Sequence, residues 1–60
     1  MIRIYPTDVH RDVCKARLGV AAAAEALGVD VDCRLSSTWI IQIEPKDRAT
    51  FIEFAREEAK

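Results

Sequence analysis

The sequence has few of the residues on which metalloproteins, nucleophilic enzymes and disulfide-rich domains depend. Its 60 residues include one histidine and two cysteines. Cys14 and Cys33 do not form a CxxC motif, and two cysteines are too few for the disulfide framework of a small secreted domain. We therefore expect two reduced thiols and a cytoplasmic protein.

A strong charge of one sign is also missing. The formal net charge is −1 and the isoelectric point is about 5.7. Proteins that neutralise phosphates usually carry a basic balance or a basic patch. The charge therefore argues against nucleic acid as a partner.

Long apolar runs are absent as well. No apolar segment follows Met1, and the alanine run at residues 21–24 is too short to span a bilayer. We predict neither a signal peptide nor contact with a membrane.

Glycine and proline are scarce, with two of each, whereas hydrophobic residues make up 50% of the chain. This composition predicts a folded chain, because enough apolar surface is available to offset the entropy lost on ordering. The length allows one domain, residues 1–60. A chain this short buries only about 60% of the surface that its unfolded form exposes, so a second subunit would add useful stability.

The first predicted strand comes from the alternation of apolar and polar residues in residues 1–5, which ends at Pro6. Alternate side chains of a strand point to opposite faces of the sheet. The inward pair is Ile2 and Ile4, and the outward pair is Arg3 and Tyr5.

A single long helix is predicted over residues 9–27, where apolar residues recur at gaps of three and four. Thr7 or Asp8 is the predicted N-cap, and Gly28 is the predicted stop. Gly19 lies inside this helix, where glycine costs about 1 kcal/mol relative to alanine. The apolar stripe stays in phase across it, so we expect one continuous helix. The stripe consists of Val9, Val13, Ala16, Val20, Ala23 and Leu27.

Two further alternating segments, residues 29–35 and 39–44, predict a β-hairpin with its turn at residues 36–38. Pro45 then begins a last helix. The inward residues of the hairpin are Val29, Val31, Cys33, Leu35, Trp39, Ile41 and Ile43. The apolar face of the last helix is Phe51, Ile52, Phe54, Ala55 and Ala59.

This β-α-β-β-α order predicts an α+β domain with a three-stranded sheet, strand order 1-3-2, and both helices on one face. The layout resembles a ferredoxin-like domain that lacks its last strand. In the spacing of its elements it also resembles the small heavy-metal-associated domains of that fold. Their metal-binding CxxC loop is replaced here by PTDVHRDVC at residues 6–14. The resemblance therefore implies a fold and no function.

His10 and Cys14 are four residues apart on the predicted helix, at the spacing at which side chains meet. Such a pair could bind zinc or activate a thiol. Two ligands do not close a metal site, and no third group is available to orient a catalytic base. We predict no enzyme activity, no cofactor and no metal; a small metal-binding or carrier domain is the second alternative.

Two surfaces are candidates for binding a partner. The first is the outward face of the sheet, and the second is a patch on the first helix that lies opposite its apolar stripe. Paired carboxylates on the sheet face could hold a cation, but an arginine continues the row and favours a solvated face. The sheet residues are Arg3, Tyr5, Asp30, Asp32, Arg34, Ile40 and Gln42. The helix residues are Cys14, Leu18 and Ala22.

From these features we predict a non-enzymatic protein-interaction module, such as a regulator or inhibitor of a larger bacterial or phage-targeted protein. Its partner is another protein or a second copy in a homodimer, since exposed apolar patches on a small chain favour an interface. The alternative is a nucleic-acid-binding protein that uses the outward face of the sheet as a stacking platform.

Overall fold

The computed structural model describes residues 1–32 and 37–60. Within them, three strands and two α-helices follow one another in the predicted order β-α-β-β-α. A short 3-10 turn lies before each helix: the second directly precedes its helix, whereas residues 9–12 separate the first from its helix. The elements are β1 (Ile2–Ile4), a 3-10 turn (Pro6–Asp8), α1 (Val13–Leu27), β2 (Val31–Asp32), β3 (Trp39–Ile41), a second 3-10 turn (Pro45–Asp47) and α2 (Arg48–Ala59).

β3 is the central strand and pairs antiparallel with both neighbours, so the sheet has the order β1-β3-β2. Ile41 lies opposite Ile2 on one side and opposite Val31 on the other. The predicted α+β fold and strand order are confirmed.

The core lies between one face of the sheet and the two helices. Residues of β1 and β3 alternate between buried and more exposed positions, as period-2 strands do. The buried cluster takes residues from both helices, which therefore cover the same face. Its members are Ile2, Ile4, Val9, Ala16, Val20, Ala23, Trp39, Ile41, Phe51, Ile52, Ala55 and Ala59.

α1 begins at Val13, four residues later than predicted, and neither Thr7 nor Asp8 caps it. The N-cap is Asp12, whose carboxylate accepts hydrogen bonds from the backbone N–H groups of Cys14 (2.9 Å) and Lys15 (3.4 Å). Asp8 instead accepts from the backbone N–H of Tyr5 at 3.0 Å and closes the 3-10 turn. Val9 reaches the core from outside the helix.

Removal of the Asp12 cap should weaken the fold measurably. Asp12→Ala should lower the free energy of unfolding by about 1 kcal/mol, because two N–H groups of the first turn lose their acceptor. Asp12→Ser keeps an oxygen acceptor and should lose much less. Urea unfolding followed by the emission of Trp39, the only tryptophan, measures both. Equal losses for the two variants would show that the carboxylate does not act as a cap.

α1 is continuous across Gly19, as predicted, and the structure supplies the reason for the glycine. A Cβ at this position would overlap the carbonyl oxygen of Ala55 and lie 2.9 Å from the Cβ of Ala59. Glycine therefore lets the backbones of α1 and α2 approach closely. Gly28 ends α1 in the left-handed conformation (φ 67°), as expected of a glycine C-cap.

Both strands of the hairpin are shorter than predicted among the described residues. β3 ends at Ile41 rather than at residue 44, because the N–H of Ile43 bonds to the carbonyl of Ile41 at 3.0 Å and turns the chain. Ile43 still packs partly against the core, as do Val29 and Val31. Residues 33–36 lie outside the described residues, and with them the predictions for Cys33, Arg34 and Leu35 and for the start of the turn at residue 36.

Fewer apolar residues of the two helices are buried than predicted. Phe54 was expected on the buried face of α2, but it is 36% exposed, while Phe51 is fully buried three residues earlier. On α1 the two ends of the stripe, Val13 and Leu27, are exposed. Apolar spacing alone therefore overstates the burial of these three residues. Within residues 1–32 and 37–60, no helix is long and apolar enough to cross a membrane.

Candidate interaction surfaces

The uncovered face of the sheet has a charge pattern that runs across the strands. Arg3 of β1 and Asp32 of β2 each lie opposite Ile40 of β3, so the three form one cross-strand row. Ile40 and Asp32 are half-buried and Arg3 is exposed. The row therefore has a cation on one flank, an apolar side chain at the centre and a carboxylate on the other flank.

A second row lies beside it, toward the end of β3. The backbone N–H of Gln42 bonds to the carbonyl of Asp30 at 2.9 Å, which continues the β2–β3 pairing. On the other side, the amide Nε2 of Gln42 lies 3.4 Å from the sulfur of Met1. Asp30 is exposed, so the described part of the β2 flank carries two carboxylates.

The remaining outward residue of the first strand region is Tyr5, which the register places beside Thr38. Tyr5 is 60% exposed and Met1 is 71% exposed, so two large exposed side chains lie on the β1 side of the half-buried Ile40. We call the surface formed by these rows the open sheet face; it comprises Met1, Arg3, Tyr5, Asp30, Asp32, Thr38, Ile40 and Gln42.

The structure brings together six of the seven predicted sheet-face residues; the seventh, Arg34, lies outside the described residues. Met1 was not predicted as part of this surface, although its position two residues before Arg3 in an alternating strand could have indicated it. The fully buried Trp39 leaves Tyr5 as the aromatic side chain of the open sheet face.

The helix patch is smaller and chemically simpler. Leu18 is 70% exposed and Cys14 is exposed, whereas Ala22 is half-buried. The neighbouring exposed residues Lys15 and Arg17 are both basic. One large exposed apolar residue among small and charged ones is normal on a protein surface.

The predicted pairing of His10 with Cys14 on one helix does not form, because His10 precedes α1. Its Nδ1 accepts a hydrogen bond from the backbone N–H of Asp12 at 2.9 Å, so this ring nitrogen supports the turn into the helix. Among the described residues, no group of three or more histidine, cysteine, aspartate or glutamate side chains is placed to hold a metal ion.

Asp8 joins the 3-10 turn to α2, a role that the sequence did not indicate. Its carbonyl oxygen accepts from Nε of Arg56 at 2.7 Å, and its carboxylate lies 3.5 Å from a guanidinium nitrogen of Arg48. The two partners are eight residues apart on α2, so no local spacing rule relates them to Asp8. The contacts fix the chain that follows β1 against the last helix.

Two hollows lie elsewhere on the described surface. One, of about 280 Å³, is lined by three apolar and two polar residues: Leu27, Val29, Ile43, Asp47 and Thr50. The other is an open groove of about 540 Å³ along the outer side of α2, beside Phe54. Most ligand pockets hold several convergent polar groups in an enclosed cavity, whereas the first hollow is small and the second is shallow.

The buried indole N–H of Trp39 makes no hydrogen bond with the described residues. The ring is fully buried, and its Nε1 has no acceptor among the described residues. A buried N–H without an acceptor costs about 1–3 kcal/mol. Its burial makes Trp39 a sensitive reporter of folding.

The chain matches no family model, and comparison with curated proteins and with solved structures gave no significant match.

Proposed function

We propose that this chain is a non-enzymatic protein-interaction module that binds its partner through the open sheet face. The observation that carries the proposal is the row of Arg3, Ile40 and Asp32, which presents an apolar centre between opposite charges. In this role the chain regulates or inhibits a partner by covering part of its surface.

The composition of the face supports binding to protein rather than mere solvation. Sheets with one solvated face usually carry polar residues there, but the central strand of this face carries an isoleucine. Met1, Tyr5 and Arg3 lie beside it on the β1 side, and methionine, tyrosine and arginine are residue types enriched at protein interfaces. An apolar centre with a polar rim is the usual anatomy of such an interface.

The same pattern defines the chemistry of the partner. Its contact surface carries an apolar side chain opposite Ile40, an acidic group opposite Arg3 and a basic group opposite Asp30 and Asp32. Electrostatic complementarity of this kind fixes orientation and discriminates against wrong partners.

Two charged variants test the proposal against the helix patch. Tagged wild type, Ile40→Glu and Leu18→Glu are compared for the proteins that they retain from an extract of the organism that encodes the chain. Ile40→Glu should lose the bound protein, because a buried unpaired charge strongly disfavours an interface. Leu18→Glu introduces the same charge on the helix patch and should retain it.

Ile40→Thr keeps a β-branched side chain at the same site. It should reduce retention of the bound protein less than Ile40→Glu does. The emission of Trp39 confirms that each variant is folded, because Trp39 faces the core on the opposite side of β3. Retention by Ile40→Glu together with loss by Leu18→Glu would move the binding surface to α1 and refute the proposal.

A further inference from the structure

The charges of the open sheet face are arranged so that the face is complementary to itself. Among the described residues, the β1 flank carries Arg3, the β2 flank carries Asp30 and Asp32, and Ile40 lies between them on β3. We infer that the partner on this face is a second copy of the chain, docked sheet to sheet about a two-fold axis that runs along β3. The inference rests on the proposed function, since it names the occupant of the same face.

The direction of the axis follows from the charges. A two-fold axis that relates two face-to-face sheets lies between them, and its two limiting directions are parallel to the strands and perpendicular to them. With the axis along β3, β1 of each copy lies over β2 of the other, so each Arg3 faces the Asp32 of the second copy. With the axis across the strands, Arg3 faces Arg3 and Asp32 faces Asp32, which like-charge repulsion disfavours.

In the favoured arrangement Ile40 meets Ile40 at the centre, and two identical ion pairs flank this contact. Face-to-face sheets lie about 10 Å apart, a gap that an arginine and an aspartate side chain bridge together. Such an interface is isologous, with the same patch used on both copies, as in most two-fold dimers. Half-burial of Ile40 in the single chain leaves further apolar surface for it to lose on docking.

The edges of the sheet are less suited to self-association than its face. Antiparallel pairing of β1 with β1 of a second copy, centred on Arg3, places two arginines directly opposite each other. The β2 edge carries Asp30 and Asp32, and charged residues on an edge strand discourage pairing. The charges on both edges therefore disfavour edge-to-edge pairing, whereas those on the open sheet face favour association of two copies.

The size of the face sets the strength of the dimer. Strands lie about 4.8 Å apart and rise about 3.3 Å per residue, so the face from Met1 to Tyr5 across three strands measures about 15 by 15 Å. A face of this size has an area of about 225 Å², well below the roughly 800 Å² that a standard interface buries on each partner. The contact therefore belongs to the weak, reversible class. We expect the dimer to form at protein concentrations of the order of 0.1–1 mM.

Sedimentation equilibrium across this concentration range tests the inference by charge reversal. Wild type should shift from the 6.7 kDa monomer toward twice that mass. Arg3→Glu alone and Asp32→Arg alone should each weaken the dimer by about tenfold or more, because like charges then face each other twice in every dimer. An equimolar mixture of the two variants should associate again, because Glu at position 3 then faces Arg at position 32 and Asp32 faces Arg3.

The fold is monitored in every sample by the emission of Trp39. Asp32 also makes an interaction within its own chain, so Asp32→Arg could fail to fold. The exposed Arg3 then supplies the test by itself: Arg3→Lys should keep the dimer and Arg3→Glu should lose it.

Three results would overturn the inference: a wild-type monomer up to about 1 mM, a dimer that Ile40→Glu leaves intact, or folded Arg3→Glu and Asp32→Arg variants that fail to associate when mixed. A wild-type monomer that still retains a protein from the extract through Ile40 would leave the proposed function standing with a foreign partner. Loss of both results would refute the two together.

Discussion

Gly19→Ala should destabilise the domain by about 2 kcal/mol or more, although alanine is the better helix former by about 1 kcal/mol. The added Cβ would overlap the carbonyl oxygen of Ala55 and crowd Ala59, so α2 would have to move away from α1. The stability of a chain of this length is marginal, and a loss of this size removes much of it. Urea unfolding followed by Trp39 emission and by far-ultraviolet circular dichroism measures the change.

The double variant Gly19→Ala with Ala59→Gly identifies which contact matters. Ala59→Gly removes the side chain that would lie 2.9 Å from the new Cβ but leaves the backbone oxygen of Ala55 in place. The double variant should therefore remain less stable than Ala59→Gly alone. If Gly19→Ala proved as stable as wild type, α1 and α2 would have room for the added Cβ and would not approach each other closely at this position.

Phe51→Ala should cost about 3–5 kcal/mol, the range for removing a large aromatic side chain from a packed core. The ring is fully buried in the cluster that joins the sheet to both helices. We expect a chain that is largely unfolded at room temperature, with the emission of Trp39 shifted to that of a solvent-exposed indole.

Phe54→Ala is the matched control, because it removes the same side chain from the same helix one turn later. Phe54 is 36% exposed beside the open groove, so its loss should leave a folded chain and cost roughly a third to a half as much. Similar losses for the two variants would mean that α2 turns a different face to the sheet. A larger loss for Phe54→Ala would reverse the assignment of its faces.

The membership of the open sheet face was predictable, whereas its pattern was not. Alternation in residues 1–5 and around Ile40 assigned side chains to faces without any knowledge of their neighbours. Which outward residue lies beside which depends on register, and register is set where the strands pair. Only the pairing of Arg3 and Asp32 with Ile40 revealed a cation and a carboxylate on opposite flanks of one row.

The sequence by itself determined the fold of this protein, because a period of two in residues 1–5 and 39–41 and a period near 3.6 in α1 specify which side of each element is buried. The tertiary structure alone decided where the elements end and what their irregular residues do. α1 begins at Val13 because Asp12 caps it there, and β3 ends where the chain turns at Ile43. Gly19 looked unfavourable for a helix, yet it is required by the backbone of α2, which lies more than thirty residues away in the chain. Periodicity indicates which side of an element is buried but not which distant residue it contacts, so these contacts appear only when the helices and the sheet are packed together.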